Sequence, residues 1–368
     1  MMRYSRLTTL ISVLLLAWAV MTAHAQAGVP WYPFPVEVQG RSVDGETEKN
    51  IAFYSPLKTA QRTWRICTSF PHMKDSYWLA VNFGVVNEAS RLGINLEVHE
   101  AGGYDHLQTQ LQQIRKCVEE GSNGVIIGAI SYKGLDDLVE ELYNKGIPVI
   151  DVINGMSSSR VAARSLVSFE EMGFSAGAYL AQLHAASNLP AKVAWFPGPE
   201  DAGWVLAGDW GFQKALMDSD VNIVAKRYGD TGKLVQTALL NEVLDMHPDI
   251  DYIVGTAVTA SAAIKVLRAR GLSDQVKILA YYFTPEVYRG IKRGQIVGAP
   301  TDSAVIQGRI AVDQLVRVLE KKTYIRHVGP EIYVVDQENI NALARLTSMA
   351  PSGFRATYSV GVRLKGED

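Results

Sequence analysis

The sequence predicts an α/β protein of two lobes, each a doubly wound parallel sheet, joined by a three-segment hinge. Three observations carry this. Strands and amphipathic helices alternate from about residue 64 onward. The strands are short, and the third, Gly124 to Gly128, is apolar all round, as a strand covered on both faces is. The alternating series also runs twice, which parallel strands with right-handed crossovers accommodate. A chain of 368 residues is longer than one core usually organises.

In the first series the strand Arg65 to Phe70 leads to a helix with Trp78, Val81, Val85, Ala89 and Leu92 at three- and four-residue spacing, ended by Gly93. The strand Asn95 to Glu100 follows, then a helix from about His106 to Glu120 with Gly121 after it. Gly124 to Gly128 comes next, then a helix from Gly134 to Asn144, and the apolar stretch from Ile147 to Ile153. The second series has strands near Lys192 to Phe196, Asn222 to Tyr228, Asp251 to Val254, Val276 to Tyr282 and Gln295 to Ala299. Its helices lie near Ser175 to Ala186, Val205 to Met217, Leu234 to His247, Ala260 to Arg270 and Glu286 to Arg293. A long helix, Ala304 to Leu319, precedes a last strand, Ile332 to Val335. Trp195, inside a strand, is assigned to the core. Crossings between lobes are expected near Leu166, Asp302 and Gly329. The first lobe is then 62–166 with 303–330, and the second 167–302 with 331–368. Residues 26–61 lack clear periodicity and read as an extension draped over a lobe.

Arg3 and Arg6 precede an apolar run from Leu10 to Val20 and the small-x-small site Ala23-His24-Ala25, the pattern of a cleaved export signal over residues 1–25. A permanent anchor is the weaker reading, because the run is too short to span about 30 Å of hydrocarbon. Cleavage removes two basic residues and no acid, so the formal charge moves from −2 to −4. That balance does not suggest nucleic acid or an anionic membrane as partner, and no membrane insertion is expected after cleavage. The two cysteines, Cys67 and Cys117, fall on the first strand and on the helix after the second. An oxidising periplasm favours their pairing; two buried free thiols are the alternative.

Catalytic ingredients are thin. The seven histidines and two cysteines offer no metal-ligand spacing. There is no Gly-x-Ser-x-Gly elbow, phosphate loop or Gly-x-Gly-x-x-Gly turn after a strand, so neither an enzyme nor a cofactor is expected. What recurs is an aromatic residue at strand carboxyl ends: Tyr77 and Trp78, Tyr104, Tyr132, Tyr228, then Tyr281 and Tyr282, with Trp204 in the loop after another strand. Any one of these is as readily a core or rim ring. As a set they gather where ligands bind in open α/β sheets. Asp75, Asp230 and Asp302 are interleaved with them, and each is also a candidate helix N-cap, Asp302 above all. Aromatic faces attract cations, and fork donors and amides, which a sugar needs, are sparse in these loops. The combination points to a small methylated amine.

Over about residues 64 to 336 the chain resembles the type I periplasmic binding proteins of the ribose-binding kind. Within that family the segments Pro-His-Met-Lys-Asp-Ser-Tyr-Trp at 71–78, Glu-Ala-Gly-Gly-Tyr at 100–104 and Pro-Gly-Pro-Glu-Asp-Ala-Gly-Trp at 197–204 resemble its receptors for trimethylamine N-oxide. The resemblance implies a periplasmic ligand-binding protein that docks on a membrane sensor histidine kinase in two-component signalling. It places Tyr77, Trp78, Asp75, Tyr104 and Trp204 at the ligand. Ile153-Asn154 stands where sugar binders carry an acidic-basic pair, and Tyr281-Tyr282 replaces their usual Asp, which puts a sugar in doubt. A sugar or autoinducer carrier feeding an importer or receptor is the alternative.

Overall fold

The computed structural model describes residues 31–41, 47–185, 187, 189–200 and 202–361; the expected leader and its cleavage site lie outside the described residues. The elements run β1 (Phe34–Arg41), β2 (Thr47–Tyr54), β3 (Arg65–Phe70), α1 (Ser76–Leu92), β4 (Asn95–Glu100), α2 (Leu107–Glu119), β5 (Gly124–Ile127), α3 (Asp136–Asn144), β6 (Val149–Val152) and β7 (Ala163–Ser165). After a crossover come α4 (Phe169–His184), β8 (Ala191–Phe196), α5 (Gly203–Leu216), β9 (Val221–Lys226), α6 (Lys233–Met246), β10 (Tyr252–Gly255), α7 (Ala257–Arg270), β11 (Lys277–Ala280), α8 (Pro285–Lys292) and β12 (Gly298–Thr301). The chain closes with α9 (Ala304–Leu319), β13 (His327–Pro330), β14 (Tyr333–Asp336), α10 (Arg345–Ser348) and β15 (Ser359–Val360).

These strands form two sheets, one ordered β15-β4-β3-β5-β6-β7-β13-β1-β2 and the other β14-β12-β11-β10-β8-β9. The inner pairings of each are parallel, and the outermost strands β15, β1, β2 and β14 pair antiparallel. Helix α1 shows how local signals set an element. The Asp75 carboxylate accepts from the Tyr77 and Trp78 N–H groups, and Gly93, at φ 74°, closes the other end by donating to Ala89 and Ser90 carbonyls. Glycines then set the helix packing. A Cβ on Gly84 of α1 would collide with the Val305 carbonyl of α9, and one on Gly308 of α9 would meet the Val81 carbonyl at 2.7 Å. The two backbones therefore touch.

The sheets depart from the sequence expectation in two places. The extension is a hairpin: β1 and β2 pair over eight residues and β1 joins β13, so this segment continues the first sheet. The alternation in Phe34-Pro35-Val36-Glu37-Val38 carried that signal. The tail also departs from the expected division, which put all of 331–368 on the second lobe. After α10 the chain returns to the first sheet, where β15 pairs with β4. Asn82 fixes this return by donating to the Thr357 carbonyl and accepting from the Thr357 N–H, each at 2.9 Å. Besides 166–168, 302–303 and 331–332, the chain thus passes between sheets a fourth time, between 349 and 358. Among the described residues no helix is long and apolar enough to cross a membrane.

Cys67 and Cys117 form a disulfide across a sequence separation of 50, tying β3 to α2 with their Cα atoms 6.1 Å apart. In the chain-entropy picture a loop of that length contributes up to roughly 4 kcal/mol. The Cys67→Ser/Cys117→Ser double variant should therefore unfold at a clearly lower urea concentration than the oxidised parent. Equal midpoints would show that the bridge adds no stability.

Candidate functional site

The carboxyl ends of both parallel sheets face one space, and five of the loops there bring rings into it. Tyr77 and Trp78 start α1 and Tyr104 follows β4. Ile153 and Asn154 follow β6, Phe169 starts α4, Trp204 starts α5, Thr231 follows β9 and Tyr282 follows β11. With Asp75 these residues line a cavity of about 20 Å³. That exceeds the roughly 10 to 15 Å³ one water needs and is far below the pockets of about 300 to 1,000 Å³ that hold drug-sized ligands. A hexose does not enter without parting the rings.

Trp204 is the hub. Its ring is stacked on Tyr281 at 6.0 Å and 15°, stands edge-on to Tyr282 at 6.1 Å, and is tilted against Tyr104 at 6.3 Å and Phe169 at 5.9 Å. Across the cleft Tyr77 meets Tyr282 at 5.1 Å, and on its own helix it stands edge-on to Trp78 at 6.1 Å. Both tryptophans rest on strand-end glycines. A Cβ on Gly128, after β5, would lie 2.5 Å from the Trp78 ring, and one on Gly198, after β8, would lie 2.6 Å from the Trp204 ring. The two lobes thus seat their indoles in the same manner.

The polar groups are few and specific. The buried Trp204 indole N–H has no hydrogen-bond partner, which in a protein interior calls for a ligand or water. Asp75 uses Oδ1 for both cap bonds, at 3.1 and 3.0 Å, leaving Oδ2 free of them. Burial pushes its carboxyl up to about 6, against the lowering effect of the two backbone N–H groups. Burial likewise raises the Tyr77, Tyr104 and Tyr282 phenols, so all three stay neutral donors at pH 7. Asn154 donates to the Tyr104 oxygen at 3.1 Å and to the Ala129 carbonyl at 2.7 Å. The turn that aims it is strained: Asn154 N–H bonds back to the Val152 carbonyl at 2.8 Å, and Ile153 between them has φ 69°. Such a γ-turn on a β-branched residue is rare away from functional sites.

Six of the expected residues, Asp75, Tyr77, Trp78, Tyr104, Trp204 and Tyr282, line the cavity. Three do not. Tyr281 lies fully buried beneath Trp204 and donates to the Trp204 carbonyl at 3.2 Å. Asp302 sits behind Tyr77, accepting from the Tyr77 hydroxyl and from Gln307 Nε2 at 2.8 Å, with burial raising its carboxyl to about 6. It is not the cap of α9: that position belongs to Ser303, whose side chain makes no capping bond. Asp75, chosen first as a ligand group, is itself a cap. Asp230 lies at the rim, paired with Lys74 of the opposite lobe at 2.6 Å. Phe169 was missed because it opens a helix that the sequence pattern starts later. His72 was also passed over; it is buried between Trp78 and Tyr104, and its Nε2 is 3.3 Å from Thr231 Oγ1 across the cleft. Desolvation and the nearby Lys74 lower it to about 4, so it is uncharged at pH 7.

With this geometry in place, residues 66–323 match a family described as periplasmic binding protein domain. The chain belongs to that family. It is 38% identical over 303 residues to the periplasmic protein TorT of Escherichia coli O157:H7, covering 82% of this chain and 86% of TorT, and 37% identical to that of strain K12. Among solved structures, the complex of the TorS sensor domain with TorT is similar both without ligand and in the presence of TMAO. Identities are 34% and 33%, TM-scores 0.74 and 0.73, with 80% of this chain and 100% and 99% of those chains covered. An ABC transporter solute binding protein from Bradyrhizobium sp. BTAi1 with bound bis-tris is 48% identical with a TM-score of 0.79, over 90% of this chain and all of that one. This is a periplasmic binding protein.

Because Gly128 leaves room for the Trp78 ring, Gly128→Ala overpacks the site, a change that typically costs about 1 to 3 kcal/mol. A lower melting temperature with an altered near-UV tryptophan signal is expected. A parent-like near-UV spectrum would show that the ring does not depend on this glycine.

Proposed function

We propose that the chain is a periplasmic receptor that binds trimethylamine N-oxide, TMAO, in the aromatic cage and reports it to the periplasmic domain of a membrane sensor histidine kinase, as a binding protein without a catalytic step. One observation carries the reading: a buried indole N–H without a partner, Trp204, inside a ring of aromatic faces that also holds one carboxylate. TMAO combines a trimethylated nitrogen bearing positive charge with one strongly accepting oxygen. The rings and Asp75 suit the first, at about 0.5 to 2 kcal/mol for each cation–π contact. Trp204 N–H and a neutral Tyr hydroxyl suit the second. Five heavy atoms at the ceiling of about 1.5 kcal/mol each limit binding to roughly micromolar. The similarity to TorT, solved in complex with the TorS sensor domain, supports the kinase partner. The 48% identity to a transporter solute binding protein favours a second reading, a carrier delivering an alkylated amine to an importer.

Calorimetric titration with TMAO and ribose, and gel filtration with the kinase periplasmic domain, separate these readings. A response to TMAO and co-elution support the receptor, TMAO binding without co-elution favours the carrier, and a ribose-only response sinks both. Trp78→Ala should weaken TMAO binding at least tenfold, about 1.4 kcal/mol, and Trp78→Phe less, because a smaller quadrupole remains. Parent-like affinity in a folded Trp78→Ala protein would remove this loop from the site.

The Asp75 carboxyl, raised to about 6, is mostly ionised at pH 7.5 and mostly protonated at pH 5.5. A ligand cation favours the ionised form, so TMAO affinity should fall several-fold as pH drops through that window. Asn also caps helices, so Asp75→Asn should bind more weakly at pH 7.5 with a flatter pH profile. An unaltered slope in that variant would assign the titration to another group.

A further inference from the structure

Beside the cage lies a second, larger space of about 430 Å³. It shares Asp75, Thr231 and Tyr282 with the cage. Its remaining walls are chemically different. No ring lines it other than Tyr282. From the first lobe come Lys74 and Ser76, and from the second Lys233, Ser261, Thr284 and Glu286. Leu79, Ala257 and Val258 make much of its wall apolar. Lys74 is paired with Asp230, Ser76 with Glu286, and Asp75 and Thr284 cap helices, which leaves Ser261 and Lys233, besides the shared Thr231, as the polar side chains outside those pairings. A short alkyl arm ending in an alcohol, which donates and accepts through one atom, matches such a wall.

The two spaces share the wall formed by Asp75, Thr231 and Tyr282. TMAO has no arm to send past it. An amine with one methyl replaced by a hydroxyalkyl chain would leave its ammonium among the rings and carry its hydroxyl past Asp75 and Tyr282 into the larger chamber. We propose that this chamber is a second subsite, which takes the hydroxylated arm of an alkylated amine of the choline kind. The proposal rests on the reading of the cage as a methylammonium site.

Ser261, on α7, lines the chamber and not the cage, and it supplies the test. Choline and TMAO are titrated calorimetrically into the parent and into Ser261→Trp, whose ring would occupy the chamber. Ser261→Leu serves as a smaller filler should the first variant fail to fold. Parent protein should bind choline at least as tightly as TMAO. The filled chamber should weaken choline at least tenfold while changing TMAO less than twofold, and the TMAO titration doubles as the check on folding. Choline binding that survives the filler overturns the subsite, as does a parallel loss of both ligands in a variant that keeps the parent's circular dichroism spectrum and melting temperature. A parent that binds TMAO and not choline overturns the subsite and leaves the cage reading intact. Filler-sensitive choline binding without TMAO binding upholds the subsite and ends the TMAO reading, and a parent that binds neither ends both.

Discussion

The buried Asp302 carboxyl is the constraint on which the cage depends. It lies where the chain leaves the second sheet for α9, and a carboxyl taken out of water there must find hydrogen bonds. It finds them in Gln307, one turn along α9, and in the hydroxyl of Tyr77 from the first lobe. Tyr77 is thereby tied to a crossing point between lobes, with its ring edge-on to Tyr282. The helices that carry Tyr77 and Gln307 are locked in turn by backbone contact at Gly84 and Gly308. Hinge, helix pair and cage wall therefore form one connected body, and the position of a cavity-lining ring is set by a residue outside the lining.

Across the cleft the direct polar contacts are of another kind. Lys74–Asp230 and Ser76–Glu286 lie at the rim, and His72–Thr231 lies deeper in. The lysine pair is more than a third exposed on both sides, and pairs of that kind contribute about 0 to 1 kcal/mol. They orient the lobes without determining how firmly these meet. The larger contribution is the apolar contact of the rings, where Tyr77 and Tyr104 from one lobe meet Tyr282 and Trp204 from the other.

Much of this was legible in the residues. The strand-helix alternation, the core position of Trp195, the pairing of the two cysteines and six cavity-lining side chains follow from periodicity, strand ends and the chemistry of rings beside a carboxylate. The hairpin of the extension was missed, although Phe34, Val36 and Val38 alternate as a strand would have them. The adjacent pair Tyr281-Tyr282 was not legible: successive side chains at a strand end point to opposite sides, and nothing local says which side is the cleft. One ring became a wall and the other the support beneath Trp204. Asp75 and Asp302 were similarly ambiguous, because an acid after a strand reads alike as cap, ligand group or brace.

The sequence by itself determined which elements form and that rings gather at one end of two sheets, because periodicity, capping and glycine placement act within a few residues. Only the tertiary structure decided which of those rings face the cavity. It also decided that Phe169 and Asn154 join them, that Asp302 braces where Asp75 caps, and that the tail returns to β4. These outcomes depend on which groups from distant parts of the chain arrive at the same place. A buried acid takes its role from the donors it meets there, and those donors lie as far apart in sequence as Tyr77 and Asp302.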